Sequence, residues 1–188
     1  LCRALDEQVE ICRTRPLEGE HPYLWLDAKV VKVRDRGHVY PKALVIAYSV
    51  HDSGRREVIG LDIGEIETEA FWVGFLRSLR ERGLGGVRLC VSDEHLGLKA
   101  AIARILACPW QRCTVHFVRD MLRHCRPAQC GLVSAALREI FNACGHEQAR
   151  EVATEVIARL SPEAPKVAEL LTEADNDYLS FHVATPEA

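Results

Sequence analysis

Hydrophobic and polar residues begin to alternate at position 23. In YLWLDAKVVKVR (23–34), Leu24, Leu26, Ala28 and Val30 fall on one side, which is the period-two spacing of a half-buried strand. GHVYPKALVIAYSV and RREVIGLDI continue the pattern across Gly-containing turns at Gly37 and Gly54, so three antiparallel strands are predicted. The period then changes. In TEAFWVGFLRSLRERG, residues Phe71, Trp72, Phe75, Leu76 and Leu79 make one helical stripe, and Gly83 supplies the stop. A short apolar strand over 87–92, a helix over 94–106 and a strand in WQRCTVH complete a β-β-β-α-β-α-β order. Beyond His116 the pattern is helical throughout. Val133, Ala136, Leu137, Ile140 and Phe141 form one stripe, and Ala149, Val152, Ala153, Val156, Ile157 and Leu160 form another.

Three antiparallel strands, a crossover helix and further alternating elements predict an α/β fold, a ribonuclease-H-like mixed sheet with flanking helices and a C-terminal all-helical insertion. Other α/β domains contain similar runs, so the order by itself is not diagnostic. Residues 1–15 read as a helix end and TRPLEGEHP (14–22) as a breaker-rich linker. The expected organisation is a helical lead-in and linker (1–21), a ribonuclease-H-like core (22–117) and a helical insertion (118–188).

Composition narrows the function classes. With 188 residues and 48% hydrophobic content, the chain can bury one sizeable core and a helical appendage. The apolar run ALVIAYSV is far too short to span a bilayer and no leader pattern precedes it, so the expectation is a cytoplasmic protein with no membrane partner. Its 8 cysteines are scattered without a CxxC pair, which suits a reducing compartment. The chain opens at Leu1 inside a helical pattern and its one methionine is Met121, features expected of a piece of a longer protein. A net charge of −3 does not announce a nucleic-acid binder. The charge is unevenly spread, however: bases outnumber acids over 27–60 and 110–138, whereas 139–188 is strongly acidic.

Two acids stand where a strand pattern does not call for them. Asp27 lies mid-strand, where Asp is depleted and where burying an unpaired charge costs several kcal/mol. The alternative is that it faces solvent beside Lys29. Asp93 ends the buried strand of LCVSDEHLGLKAAIARIL, where it can cap the following helix or serve as a metal ligand at a strand end. In a sheet of this order the first and fourth strands are neighbours, so both acids can share one cleft. Two carboxylates there make a hard-cation site suited to Mg²⁺ or Mn²⁺. Cys113 and His116 have a spacing that occurs in zinc sites, but His124, Cys125 and Cys130 do not complete a recognised four-ligand set. A structural strand end is therefore the expectation for that pair, without tightly bound zinc.

Taken together, YLWLDAKVVKVR, REVIGLDIG, TEAFWVGFLRSLRERGL, VSDEHLGLKAAI and WQRCTVHF resemble, in order and spacing, the catalytic core of the Mutator-type bacterial insertion-sequence transposases, over about residues 1–181. The resemblance implies an Asp-Asp-Glu metal triad with Asp27 and Asp93 as its first two acids and metal ligands, and Cys113 and His116 as the family's Cys/Asp-x-x-His signature. It implies metal-dependent cutting and strand transfer on double-stranded DNA, namely the element's terminal repeats and a target. It also implies a homo-oligomer when intact, acting at the bacterial nucleoid. Lys29, Lys32, Arg112, Arg119 and Arg123 are the DNA-binding candidates. The chain departs from the family at HVATPEA, where an Asn-x-x-Glu-Arg-x-Asn stretch bearing the Glu would be expected to follow. Glu187 lies outside any such motif and is not assigned. The rival readings are another ribonuclease-H-like nuclease, cleaving without joining, and a catalytically dead DNA-binding or oligomerising remnant.

Overall fold

The computed structural model describes residues 2–35, 37–64, 68–174 and 177–180. Its contacts divide the chain into two compact units, Leu1–Trp110 and Gln111–Ala188. The first opens with helix α1 (Cys2–Thr14) and strands β1 (Tyr23–Asp35), β2 (His38–Val50) and β3 (Arg56–Gly64). Helix α2 (Glu69–Glu81), strand β4 (Leu89–Ser92), helix α3 (Leu96–Ile105) and strand β5 (Trp110–Arg112) follow. Among the described residues the five strands form one mixed sheet in the order β3-β2-β1-β4-β5, with β1–β2 and β2–β3 antiparallel and β1–β4 parallel. This is the ribonuclease-H-like arrangement expected from the element order.

The apolar alternation of β1 and the stripe of α2 meet in one core, which contains Leu24, Leu26, Val45, Ala47, Ile59, Trp72, Leu76, Leu79, Leu98 and Ile102. Thr68 starts α2 by accepting the Phe71 N–H on its hydroxyl (3.2 Å), as its place ahead of the apolar stripe suggests. The helix sits close on β3 because Gly60 carries no side chain. A Cβ there would stand 2.8 Å from Leu79 Cδ2 and 3.0 Å from Phe75 Cζ. The stretch read as a linker joins this core as well: Leu17 is buried, and its N–H donates to Arg82 C=O (2.7 Å). Arg13–Asp62 (2.9 Å) and Arg15–Glu57 (2.7 Å) tie the N-terminal segment to β3.

Three local expectations are corrected. Val30, expected on the core face, is 64% exposed. The pairing of β3 with β2 ends at Ala43↔Gly64 and that of β4 with β1 at Leu26↔Ser92, so the far halves of β1 and β2 form a two-stranded arm beyond the core. Second, WQRCTVH does not stay extended. The strand ends at Arg112, and Cys113 caps helix α4 (Thr114–Arg123), because Phe117 and Met121, one turn apart, enter the core of the second unit. Third, α3 begins at Leu96 rather than 94, for a reason that concerns the site and is given below.

The second unit is helical after β5, as its stripes predict. A 3-10 turn (Pro127–Gln129) leads into α5 (Cys130–Phe141), α6 (His146–Leu160) and α7 (Pro165–Ala174). Their apolar faces enclose Phe117, Val133, Leu137, Ile140, Val156, Leu160, Leu171 and Tyr178, with Phe117 stacked on Tyr178 at 4.8 Å.

Candidate metal centre

The parallel register of β1 and β4 runs Tyr23↔Leu89, Leu24↔Cys90, Trp25↔Val91 and Leu26↔Ser92. The next residues in the chain are Asp27, still within β1, and Asp93, just past the end of β4. Neighbouring strands are about 4.8 Å apart, so both acids follow directly on a paired position where β4 ends. Side chains alternate along a strand, and Asp27 therefore lies on the side of Trp25, opposite the buried Leu24 and Leu26. It is exposed and lies on the solvent side of the sheet with Lys29, two residues on. Asp93, just past the end of β4, is partly buried.

Each carboxylate is oriented by one short local bond. The Ala28 N–H donates to Asp27 Oδ1 (3.0 Å), and the Glu94 N–H donates to Asp93 Oδ1 (2.8 Å). Neither carboxylate makes an ion pair among the described residues. Capping duty, the local explanation open for Asp93, falls instead to His95. Its Nδ1 accepts the Leu98 N–H (3.3 Å), and so α3 starts at Leu96. Asp93 is thereby left outside the helix, at the end of β4.

Two hard oxygen donors at adjacent positions suit Mg²⁺ or Mn²⁺, which are held by one or two carboxylates while water and substrate phosphate oxygens complete the shell. The donor set therefore fits the metal that the family resemblance implies. Among the described residues no group of three or more His, Cys, Asp or Glu side chains gathers as a metal site. Glu187, left unassigned above, lies outside the described residues.

Cys113 and His116 occupy the cap and first turn of α4, in the second unit. The Cys113 carbonyl accepts the Phe117 N–H (2.8 Å), whereas buried His116 Nδ1 has no hydrogen-bond partner among the described residues. Burial pushes the thiols of Cys90, Cys108 and Cys125 up, away from the reactive thiolate.

The basic candidates divide. Lys29, Lys32, Arg119 and Arg123 are exposed, with Lys29 and Lys32 on opposite sides of β1 by the parity of their positions. Arg112 is buried: its Nη2 donates to Asp120 Oδ2 (2.7 Å) and its guanidinium lies 5.1 Å from the Phe117 ring centroid. Asp120 also takes Arg123 Nη1 at 2.7 Å. Arg112 thus supports α4 from within. Sequence reasoning missed the groups behind Asp93. Ser92, 1% exposed, accepts Trp110 Nε1–H (2.8 Å) on its hydroxyl and donates to Asp93 C=O (2.9 Å).

Fold and sheet order define a ribonuclease-H-like α/β protein with a carboxylate pair at the meeting of its first and fourth strands. The chain belongs to the family described as Transposase, Mutator family, which it matches over residues 1–187. It is 41% identical over 167 residues to the transposase for insertion sequence element IS406 of Burkholderia multivorans, covering 88% of this chain and 43% of that protein. It is 38% identical over 183 residues to the transposase for IS1081 of Mycobacterium tuberculosis, covering 96% and 44%. The chain thus spans less than half the length of these relatives. Among solved structures, the Drosophila P element transposase strand transfer complex aligns with 90% of this chain and 56% of its own, at a TM-score of 0.39 and 12% identity.

Proposed function

We propose that this chain carries part of the catalytic core of an insertion-sequence transposase, in which Asp27 and Asp93 hold the divalent cations for phosphoryl transfer on DNA. The observation that supports this reading is the β1–β4 register, whose last pair, Leu26↔Ser92, immediately precedes Asp27 and Asp93 in the chain. Bound Mg²⁺ or Mn²⁺ would neutralise charge building up on the reacting phosphate and the leaving oxygen. The protein's contribution is placement. The bonds from Ala28 and Glu94 N–H hold one oxygen of each carboxylate, and the other would be a donor for the ion. Exposed Lys29, Lys32, Arg119 and Arg123 are proposed to contact DNA phosphates, which fix the duplex without reading its sequence. The third acid is proposed to belong to an Asn-x-x-Glu-Arg-x-Asn segment, which does not occur in residues 1–188. Homo-oligomerisation and action at the nucleoid belong to this proposal. No helix among the described residues is long and apolar enough to cross a membrane.

The test is DNA nicking and strand transfer on terminal-repeat substrates with Mg²⁺ or Mn²⁺, comparing the 188-residue chain with a chain extended through that segment. The extended chain is expected to perform both steps and the shorter chain neither. Asp27→Asn and Asp93→Asn in the extended chain should each abolish both steps with the fold retained, because phosphoryl transfer rests on positioning and charge stabilisation. Activity surviving either substitution would refute the assignment. Cutting without joining would point to a nuclease, and DNA binding without chemistry to a remnant.

A further inference from the structure

We propose that Ser92 and Trp110 are positioning residues that fix the direction of Asp93 at the end of β4. The proposal rests on the cation-holding role of Asp93. Ser92 is a hydroxyl residue in an otherwise apolar buried strand, and it is 1% exposed. A buried hydroxyl needs partners, and this one has two: it accepts the Trp110 indole N–H at 2.8 Å and donates to the Asp93 carbonyl at 2.9 Å. The same carbonyl accepts the His95 N–H at 3.0 Å. The peptide that leaves Asp93 is thus held from two sides, while the Glu94 N–H holds its carboxylate at 2.8 Å.

The far end of the relay is held as well. Trp110 packs against the core of the first unit, and Lys99 Nζ of α3 stands 4.2 Å from its ring centroid. The Pro109 carbonyl accepts the Cys90 N–H (3.0 Å), which anchors the residue before Trp110 to β4. An indole fixed on both sides presents its N–H in one direction, and Ser92 passes that orientation to Asp93. Catalytic geometry is sensitive at this level, since a misplacement of about 1 Å can cost roughly a hundredfold in rate.

The experiment measures Mn²⁺ affinity of the 188-residue chain by electron paramagnetic resonance of the free ion, alongside thermal unfolding. The parent should bind Mn²⁺, and Asp93→Asn should weaken binding. Trp110→Phe, which keeps a packed ring and removes the N–H, and Ser92→Ala should each raise the dissociation constant about three- to tenfold, on the scale of one lost hydrogen bond. Combined, they should be no worse than either alone, because they break the same relay. Ser92→Thr, which keeps the hydroxyl, should bind as the parent does. A purely structural role would lower the melting temperature while leaving the Mn²⁺ constant unchanged. If Asp93→Asn leaves Mn²⁺ binding intact, the cation reading of the site is wrong. If binding depends on Asp93 but Trp110→Phe matches the parent, the relay alone is overturned. Should Trp110→Phe fail to fold, equal affinities of Ser92→Ala and Ser92→Thr overturn it instead.

Discussion

Asp27 and Asp93 place two negative charges directly after the last residues that pair β1 with β4, so removing one charge should stabilise the cation-free protein. Neighbouring strands lie about 4.8 Å apart, and carboxylates just beyond such a pairing can stand roughly 6 Å apart. Two unit charges at about 6 Å repel by about 0.7 kcal/mol in a water-like dielectric and about 1.4 kcal/mol at an effective dielectric of about 40. Asp27 is exposed, which favours the lower figure, and about 0.15 M salt screens the pair further. The expected gain for Asp27→Asn or Asp93→Asn is therefore about 0.5–1 kcal/mol at low ionic strength. Asn keeps a carbonyl oxygen for the Ala28 or Glu94 N–H, so the local bonds survive the change. In a unit of this size the gain corresponds to a rise of about 2–6 °C in melting temperature. The assay is thermal unfolding followed by circular dichroism, first with a chelator at low salt and then with Mg²⁺. At about ten times its dissociation constant, Mg²⁺ adds about 1.4 kcal/mol to the parent and less to each variant, so the parent should overtake them. Both variants melting at or below the parent in chelator would refute the reasoning, since the charges would then not repel.

Two further outcomes test the core and its titration. Trp72 is fully buried and its indole N–H lacks an acceptor among the described residues, so Trp72→Phe should cost less than about 1.5 kcal/mol whereas Trp72→Ala costs about 3–5 kcal/mol. Urea unfolding decides it, and equal losses would mean that the indole N–H is paired. His21 is buried with Nδ1 2.9 Å from Ser49 Oγ; burial holds its pKa below the ordinary 6.5, nearby Glu57 opposing and His51 reinforcing the shift. As the pH falls through about 6.5 the unfolded chain takes up this proton before the folded one, so stability is full above that value and declines below it. Melting temperature should fall less between pH 7 and pH 5 in His21→Gln than in the parent. An identical slope would exclude His21 as the cause.

Much of the fold was legible because its core faces are periodic. The alternation through Leu24, Leu26 and Ala28 and the stripe through Trp72, Phe75, Leu76 and Leu79 each state a buried side, and element order makes β1 and β4 neighbours. Other features depend on partners that no local window contains. Val30 continues the alternation perfectly, but its exposure is decided by how far β3 and β4 extend beside it. Asp93 and His95 are both polar residues ahead of α3. His95 takes the cap, and the helix that starts at Leu96 then brings Leu98, Ala101 and Ile102 into the core. Arg112 looked like any basic residue in a basic segment until Asp120 and Phe117 came round α4 to meet it. The bond from Trp110 to Ser92 spans 18 positions, and nothing at either residue announces the other.

The parallel pairing of β1 with β4 also bears on when the acid pair comes into being. The hairpins of β1, β2 and β3, and the turns of α2, form from residues near one another in the chain, whereas β4 must return across all of them to reach β1. Contacts of that span carry the loop-closure entropy and are the slow ones to form. A chain halted at the three-stranded meander holds Asp27 alone, a single solvated carboxylate with no neighbour. The pair arises only when β4 docks on β1, so the acids stay apart until that long-range pairing forms.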